Sequence, residues 1–340
     1  MDLLIKGTDL VVATHGRAFW ILDDIGAIQS SLKPEEKLKI VTPKDTYRVF
    51  GGSSDKPVPG LGQNPKSGVT FDYYLPQKLD STELKLEILS GGKVIRTITN
   101  QKSKDFKTWP GGPPKPDVLP SQKGYNRFTW DFTRESVPTI DKIFVFGDYR
   151  GSRVAPGTYT LRLSLEDATV ETNAVILPNP KVDGSPTDYA EQQSALTKIE
   201  ETLKNMHQAV NQMRRAKMQL NQYADLLKDN KDASELLEKG KKLLERITTW
   251  EEKLIQPQQK TFQDVINFQN QLNAEFMYLK EFIDVAEPKV TQGAKDRLND
   301  LLGQWKTYED EKNAIVGSGM QEYNQLFKSL EIPAIILTEE

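Results

Sequence analysis

Residues 83–99 have the sequence ELKLEILSGGKVIRTIT, and this stretch sets the fold class of the first half of the chain. Leu84, Leu86 and Ile88 alternate with charged residues, which is the two-residue period of a strand with one buried face. A glycine pair, Gly91-Gly92, follows, and such a pair between two strand-like runs is typical of a β-hairpin turn. The stretch therefore predicts two antiparallel strands joined by a tight turn.

Other strand candidates lie on both sides of this hairpin at short intervals. They are residues 46–50, 69–75, 126–131, 157–165 and 170–177. Seven short antiparallel strands within about 130 residues, separated by turn residues, are typical of an immunoglobulin-like β-sandwich. We expect this sandwich to be interrupted by the proline-rich loop 109–120.

The second half of the chain has the hydrophobic period of α-helices. Apolar residues recur at alternating steps of three and four from Leu196 to Leu227, with Lys217 as a polar interruption. This spacing predicts the seam of a coiled coil or an antiparallel bundle. Three shorter runs with the same period follow, and together they predict an up-down antiparallel helical bundle over residues 187–330.

Composition limits the chemistry that is open to the chain. Its 340 residues include two histidines and no cysteine, which excludes disulfides, thiol nucleophiles and thiolate metal sites. The 45 basic and 48 acidic residues leave a formal net charge of −3, which gives no reason to expect nucleic acid as a partner. No run approaches the ~18 apolar residues of a membrane span. The sequence predicts no catalytic residue, no metal site and no cofactor.

Charge and composition change near residue 186. Residues 1–186 carry 25 basic and 22 acidic residues, a net charge of +3, whereas residues 187–340 carry 20 and 26, a net charge of −6. The predicted multidomain α+β chain has five segments. These are a β-hairpin (1–30), a connector (31–68), the β-sandwich (69–180), the helical bundle (187–330) and a tail (331–340).

The first segment contains two strongly apolar strands, residues 9–14 and 18–22, on either side of the turn His15-Gly16-Arg17. An isolated hairpin is marginally stable in water, so strands of this kind need a larger sheet to cover them. The segment is therefore expected to belong to a larger sheet that is missing or lies elsewhere.

Four stretches of the sequence resemble the C-terminal region of bacterial sortilin-like proteins with BNR repeats, which are often labelled glycosyl hydrolases. DLVVATHGRAFWILDD at 9–24 resembles the last blade of their β-propeller, and DYYL at 72–75, GYNRFTWD at 124–131 and VAPGTYT at 154–160 resemble the immunoglobulin-like module that follows. The helical residues 188–330 are similar to that family's C-terminal tail. The resemblance thus covers most of the chain.

The resemblance implies a non-catalytic structural or interaction region of a secreted or cell-envelope propeller protein, located outside the cytoplasm. The expected partner is the propeller portion of a longer parent or another protein, and homo-oligomerisation through the helical bundle is a further expectation. Two alternatives stay open: an accessory part of a glycoside hydrolase whose active site lies in a missing propeller, and a carbohydrate-binding module. The family's Asp-box pattern is absent from the sequence, so hydrolase activity is not carried over.

Three side chains are candidate ligand contacts. Trp109 lies in the Gly/Pro-rich loop, where an indole could stack on a glycan, and His15 and Arg17 lie at the hairpin turn. The last two have structural alternatives: His15 as a turn residue bonded to local backbone, and Arg17 in an ion pair with Asp23 or Asp24. The two adjacent carboxylates are poorly placed for glycoside hydrolysis, because neighbouring residues on a strand point to opposite faces.

Two other aromatic residues and the second histidine also carry predictions. Trp130 alternates with Phe128 in a strand, and Trp250 follows helical spacing, so both are expected in the core. His207 lies beside the apolar seam of the first long helix and is expected to be solvated or at an interface edge.

Overall fold

The computed structural model describes residues 1–30, 36–51, 62, 64–103 and 106–333. Parts of the predicted connector and most of the predicted tail lie outside these residues. The first described residues form an N-terminal sheet of three antiparallel strands in the order β1-β2-β3. Its strands are β1 (Asp2–Lys6), β2 (Asp9–Ala13) and β3 (Phe19–Leu22), and a short helix, α1 (Gly26–Ser30), follows.

Two further sheets are formed by residues 39–177. A five-stranded sheet has the order β5-β11-β10-β7-β8, and a three-stranded sheet has the order β4-β6-β9. The strands are β4 (Lys39–Ile40), β5 (Thr46–Tyr47), β6 (Val69–Leu75), β7 (Leu84–Ser90), β8 (Lys93–Thr99), β9 (Gly124–Trp130), β10 (Gly157–Leu165) and β11 (Ala168–Leu177). Every pairing is antiparallel except that of β5 with β11, which is parallel.

These two sheets share one hydrophobic core, because their strands alternate apolar and polar residues. Leu84, Leu86 and Ile88 of β7 are buried, and so are Phe71 of β6 and Trp130 of β9. The Gly91-Gly92 turn joins β7 to β8 with positive φ at both glycines, 55° and 80°, as the type I′ hairpin requires.

The second half of the described chain is helical. The helices are α2 (Pro186–Leu227), α3 (Ser234–Glu252), α4 (Leu272–Ile283), α5 (Gln292–Ala314) and α6 (Met320–Ser329). Short 3₁₀ helices precede α3 and α4, and a π-helical turn, Ile315–Gly319, joins α5 to α6. With 42 residues, α2 is about 60 Å long and extends beyond its shorter neighbours.

A capping box fixes the start of α2. The Ser185 hydroxyl accepts a hydrogen bond from the Asp188 N–H, and the Asp188 carboxylate accepts one from the Ser185 N–H at 2.9 Å. The apolar seam then runs down the helix, and its residues from Leu196 to Met213 are buried. At the polar interruption, Lys217 forms an ion pair with Glu251 of α3 at 2.9 Å.

The long connection between β9 and β10, residues 131–156 (the β9–β10 loop), leaves the sheets and packs on the helices. Five of its side chains belong to the helical hydrophobic core: Val137, Ile140, Ile143, Val145 and Tyr149. Three side chains of α2 hold the backbone of this loop: His207 contacts the Pro138 carbonyl, and Asn211 and Arg214 donate to the carbonyls of Thr139 and Asp141. The helical core is therefore completed by residues from the sheet half.

The predicted fold class is wrong. The chain does not form one immunoglobulin-like β-sandwich followed by an up-down antiparallel helical bundle. The described strands divide among sheets of three, three and five strands, and the helices surround one long helix whose buried face is partly covered by the β9–β10 loop. Hydrophobic periodicity identifies a strand or a helix but not its neighbours, which is why it predicts most of these elements but not their arrangement.

Candidate functional site

The N-terminal sheet is apolar on both faces. The register aligns Leu3 with Val12 and Trp20, and Ile5 with Leu10 and Leu22. Because residues directly opposite each other share a face of a sheet, all six side chains lie on one face, which carries no polar residue. We call this surface face one.

The opposite surface, face two, is also mainly apolar. Its central row is Leu4, Val11 and Ile21, and Ala13 lies opposite Phe19 beside it. Its charged residues, Asp2, Lys6 and Asp9, lie at the ends of β1 and β2.

Neither face packs against the rest of the described chain. The side chains of β1 and β3 are all exposed, with Trp20 at 63% and Phe19 at 76%, and neither hydrophobic core includes a residue of this sheet. An antiparallel sheet in water normally exposes one polar face and buries one apolar face. Contiguous apolar surface of this kind is typical of a protein-binding site.

Arg127 of β9 attaches the N-terminal sheet to the rest of the molecule. Its guanidinium forms a two-pronged ion pair with the buried carboxylate of Asp72, with both contacts at 2.9 Å. The same group donates to the carbonyl oxygens of Asp23, at 3.1 Å, and Asp24, at 2.7 Å. The hydrogen bond to Asp72 raises the pKa of Arg127 and outweighs partial desolvation, and the negative charges of Asp72, Asp24 and Asp23 add to this effect.

Asp9 completes this attachment from the other side. Its carboxylate accepts hydrogen bonds from the Asp24 N–H at 2.9 Å and from the Lys44 ammonium at 3.1 Å. The hydrogen bond from the Asp24 backbone, followed by that from Lys44, lowers the pKa of Asp9. Ile25, which is 7% exposed, is the first residue after the N-terminal sheet whose side chain is buried.

His15 and Arg17 lie at the tip of the β2–β3 hairpin, and both are exposed. The predicted ion pair of Arg17 with Asp23 or Asp24 is wrong, because Arg17 forms no ion pair with any described residue. Its carbonyl instead accepts a hydrogen bond from the Trp20 indole at 3.0 Å. Arg127, which sequence reasoning missed, holds Asp23 and Asp24 through their backbone.

Trp109 is half-buried and is separate from the hairpin. Its indole N–H donates to the Ile143 carbonyl at 2.7 Å, and its ring lies on Gly112, where an added Cβ would be 2.7 Å from the ring. The ring lines a groove of about 920 Å³ between residues 106–117 and the β9–β10 loop. The three predicted contacts are therefore divided between two places on the molecule.

A charged network forms part of this groove. Arg96 pairs with Asp117 at 2.6 Å and with Asp131 at 2.5 Å, and it also donates to Thr133. Burial alone would raise the pKa of Asp131, but the charge of Arg96 and the hydrogen bonds from Thr133 and Arg96 outweigh it and lower the pKa. The Asp131 carboxylate is thus held as an ion, and one guanidinium joins it to Asp117.

A second cleft, of about 380 Å³, lies where the sheets meet α4. The Lys280 ammonium is buried and donates to the carbonyl oxygens of Asp148 and Arg150, and desolvation lowers its pKa. The Asp284 carboxylate, whose side chain is 10% exposed, accepts the Arg153 N–H and forms an ion pair with its guanidinium at 3.3 Å. Each buried charge here has partners within the chain.

His207 is fully buried, so the expectation that it is solvated or at an interface edge is wrong. Its Nδ1 lies 2.6 Å from the Pro138 carbonyl, and burial lowers its pKa to about 4. The signal that sequence reasoning missed is in the β9–β10 loop, whose apolar residues cover this side of α2.

The described residues hold neither a metal-binding cluster nor a membrane-spanning helix. No group of three or more His, Cys, Asp or Glu side chains there is arranged to hold a metal ion. Among the described helices, none is long and apolar enough to cross a membrane.

Comparison with known proteins gives no relative. No protein-family model matches the chain, and no match was found among curated proteins or solved structures.

Proposed function

We propose that the chain is a non-catalytic interaction region that binds protein on both faces of its N-terminal sheet. The observation that carries this proposal is that face one and face two are both apolar and both exposed. A sheet of this kind becomes stable when a protein layer covers each side, as neighbouring blades do in a β-propeller. The resemblance of residues 9–24 to a last propeller blade supports a propeller portion as the partner, and with it an extracytoplasmic location.

The attachment of the sheet supports the same function. Arg127 binds two consecutive carbonyl groups and a buried carboxylate, which fixes where the chain leaves the N-terminal sheet. A docking element that is held in this way presents its faces in one orientation, which lowers the entropy lost on binding.

Site-specific photo-cross-linking in producing cells tests the proposal. Phe19 and Trp20 are adjacent, exposed and on opposite faces of the sheet, so each is replaced in turn by a photoreactive phenylalanine. We expect both positions to cross-link to protein, with propeller peptides in the mass spectra of the adducts.

Tyr278 of α4 is the matched control, because it is an aromatic residue that is 61% exposed and lies far along the chain from the sheet. Cross-linking at Phe19 and Trp20 that does not exceed the level at Tyr278 would contradict the proposal. Adducts at only one of the two positions would contradict binding on both faces.

Carbohydrate binding is a second candidate, and the Trp109 groove favours it. Trp109, Pro113, Pro114 and Pro116 give this groove flat apolar walls, and Arg96 with Asp117 and Asp131 supplies polar groups. Affinity gel electrophoresis on a panel of neutral and acidic polysaccharides tests it. Unchanged mobility of the folded chain on every polysaccharide would exclude this candidate.

A further inference from the structure

The strand β1 is an open edge of the N-terminal sheet. In the sheet order β1-β2-β3, β2 occupies one side of β1, and no described strand pairs with the other side. All five of its residues, Asp2–Lys6, are exposed. An exposed apolar edge with unpaired N–H and C=O groups is a template for pairing with another strand.

The sequence of β1 is self-complementary when the strand is read antiparallel to itself. With Leu4 placed opposite Leu4 of a second copy, Asp2 lies opposite Lys6, and Leu3 lies opposite Ile5. Residues that are directly opposite share a face, so each carboxylate meets an ammonium across the pair at both ends. Neither Asp2 nor Lys6 forms an ion pair within the described chain, and the Asp2 carboxylate accepts a hydrogen bond from the N–H of its neighbour Leu3 at 2.8 Å. Pairing with a second copy would therefore add a salt bridge to each carboxylate without breaking one.

The other edge strand does not have this property. The residues of β3, Phe19–Leu22, are all apolar. They offer no pair of opposite charges that would fix the register with a second copy. Soluble proteins usually place charges on edge strands to repel other chains. In β1 the two end charges have opposite signs, and in the antiparallel register they attract instead.

We propose that two copies of the chain associate through their β1 edges, with a two-fold axis at Leu4. The product is a continuous six-stranded sheet in the order β3-β2-β1-β1-β2-β3. This association goes beyond the proposed function, because it uses the edge of the N-terminal sheet and leaves face one and face two open for other protein.

A charge swap tests the register. Sedimentation velocity of the full chain from 1 to about 100 µM should show a dimer, and Asp2→Lys should weaken it roughly tenfold by placing like charges opposite each other at both ends. Lys6→Asp should weaken it similarly. The double variant Asp2→Lys/Lys6→Asp restores opposite charges across the pair, so its dissociation constant should return to within about threefold of the original. A monomer at every concentration, or a dimer that none of these changes weakens, would overturn the proposal.

Disulfide trapping gives an independent test, because the chain has no cysteine of its own. Residues opposite each other in antiparallel strands have Cα atoms about 4.5–5.5 Å apart, within the range of a disulfide. Leu4→Cys should therefore form a covalent dimer under mild oxidation. Ile21→Cys is the matched control, because Ile21 occupies the same row of the sheet on the other edge strand. Equal cross-linking of both variants, or none at Leu4→Cys, would rule out pairing at β1.

Discussion

At the scale of single residues, polar side chains fix segments of the molecule by binding backbone carbonyls. The exposed Arg127 holds Asp23 and Asp24 in this way, and the buried Lys280 and His207 hold carbonyls of the β9–β10 loop. A buried donor that loses its acceptor costs about 1–3 kcal/mol, so the contacts of Lys280 and His207 fix the position of that loop. Residue types alone do not reveal such roles, because the acceptors are backbone atoms.

His207 predicts acid sensitivity of the fold. Its pKa is about 4 in the folded chain and near 6.5 when exposed, so the unfolded chain binds the proton first as the pH falls. The free energy of unfolding should therefore fall between pH 6.5 and 4. The contribution of His207 between pH 7 and pH 5 should be about 2 kcal/mol.

Urea unfolding at pH 7 and pH 5 measures this effect. The variant His207→Gln keeps a donor for the Pro138 carbonyl but does not titrate, so it serves as the reference. A loss of stability between the two pH values that is as large in the variant as in the original chain would show that another group titrates.

At the scale of elements, local sequence accounts for where strands and helices lie. Residues 69–75 and 157–165 were predicted as strands and are β6 and β10, and the helix expected from Thr187 begins one residue earlier, at Pro186. The start of that helix is fixed by a capping box between Ser185, which precedes the helix, and Asp188 in its first turn. Strand β1 was not predicted, because its short apolar run has no alternation to mark it.

Ser185→Ala should reduce the free energy of unfolding by about 1 kcal/mol, because it removes the side-chain acceptor for the Asp188 N–H. Ser194→Ala is the matched control: Ser194 is exposed in the interior of the same helix, where alanine is the better helix former. Chemical denaturation of both variants measures the difference. Equal stability of the two would contradict the role of the cap.

The candidate sites show the limit of sequence reasoning at this scale. The apolar hairpin of residues 9–22 was expected to need cover, and the structure adds β1 to it while leaving both faces exposed. Trp109 was expected in an exposed loop, but its indole is held by the Ile143 carbonyl. Ile143 is distant in sequence, and nothing in the composition of the loop indicates that contact.

At the scale of the whole molecule, the sheets and the helices are joined by buried polar contacts. Arg48 is fully buried beside β5 and donates to the carbonyl of Val154 at 2.8 Å and to the side chain of Gln192 in α2 at 3.2 Å. Gln192 in turn donates to the carbonyl of Ile283 at the end of α4. The Arg48 and Arg153 guanidinium groups lie on the ring of Phe50. This junction couples the two halves.

Unfolding of the two halves should therefore be one transition. Gln192→Ala leaves the Val154 carbonyl as the remaining hydrogen-bond acceptor of Arg48 and removes one of the donors to the Ile283 carbonyl, so it should reduce stability by about 1–3 kcal/mol. Far-UV circular dichroism and tryptophan fluorescence should still give coincident transitions. The control is Gln208→Ala, at an exposed position of the same helix, which should change stability little. Two separate transitions in the original chain would contradict the coupling.

The β9–β10 loop also bears on how this protein can be rearranged. The sequence indicates residues 178–185 as a boundary for a genetic crossover with another protein, because they separate the strands from the helices. Such a crossover would transfer α2 without the loop that covers it, and leave Val137, Ile140 and Tyr149 with no helix to contact. The helical half therefore cannot be moved into another protein by itself. Substitutions in the β9–β10 loop and in the face of α2 that it covers must preserve their packing against each other.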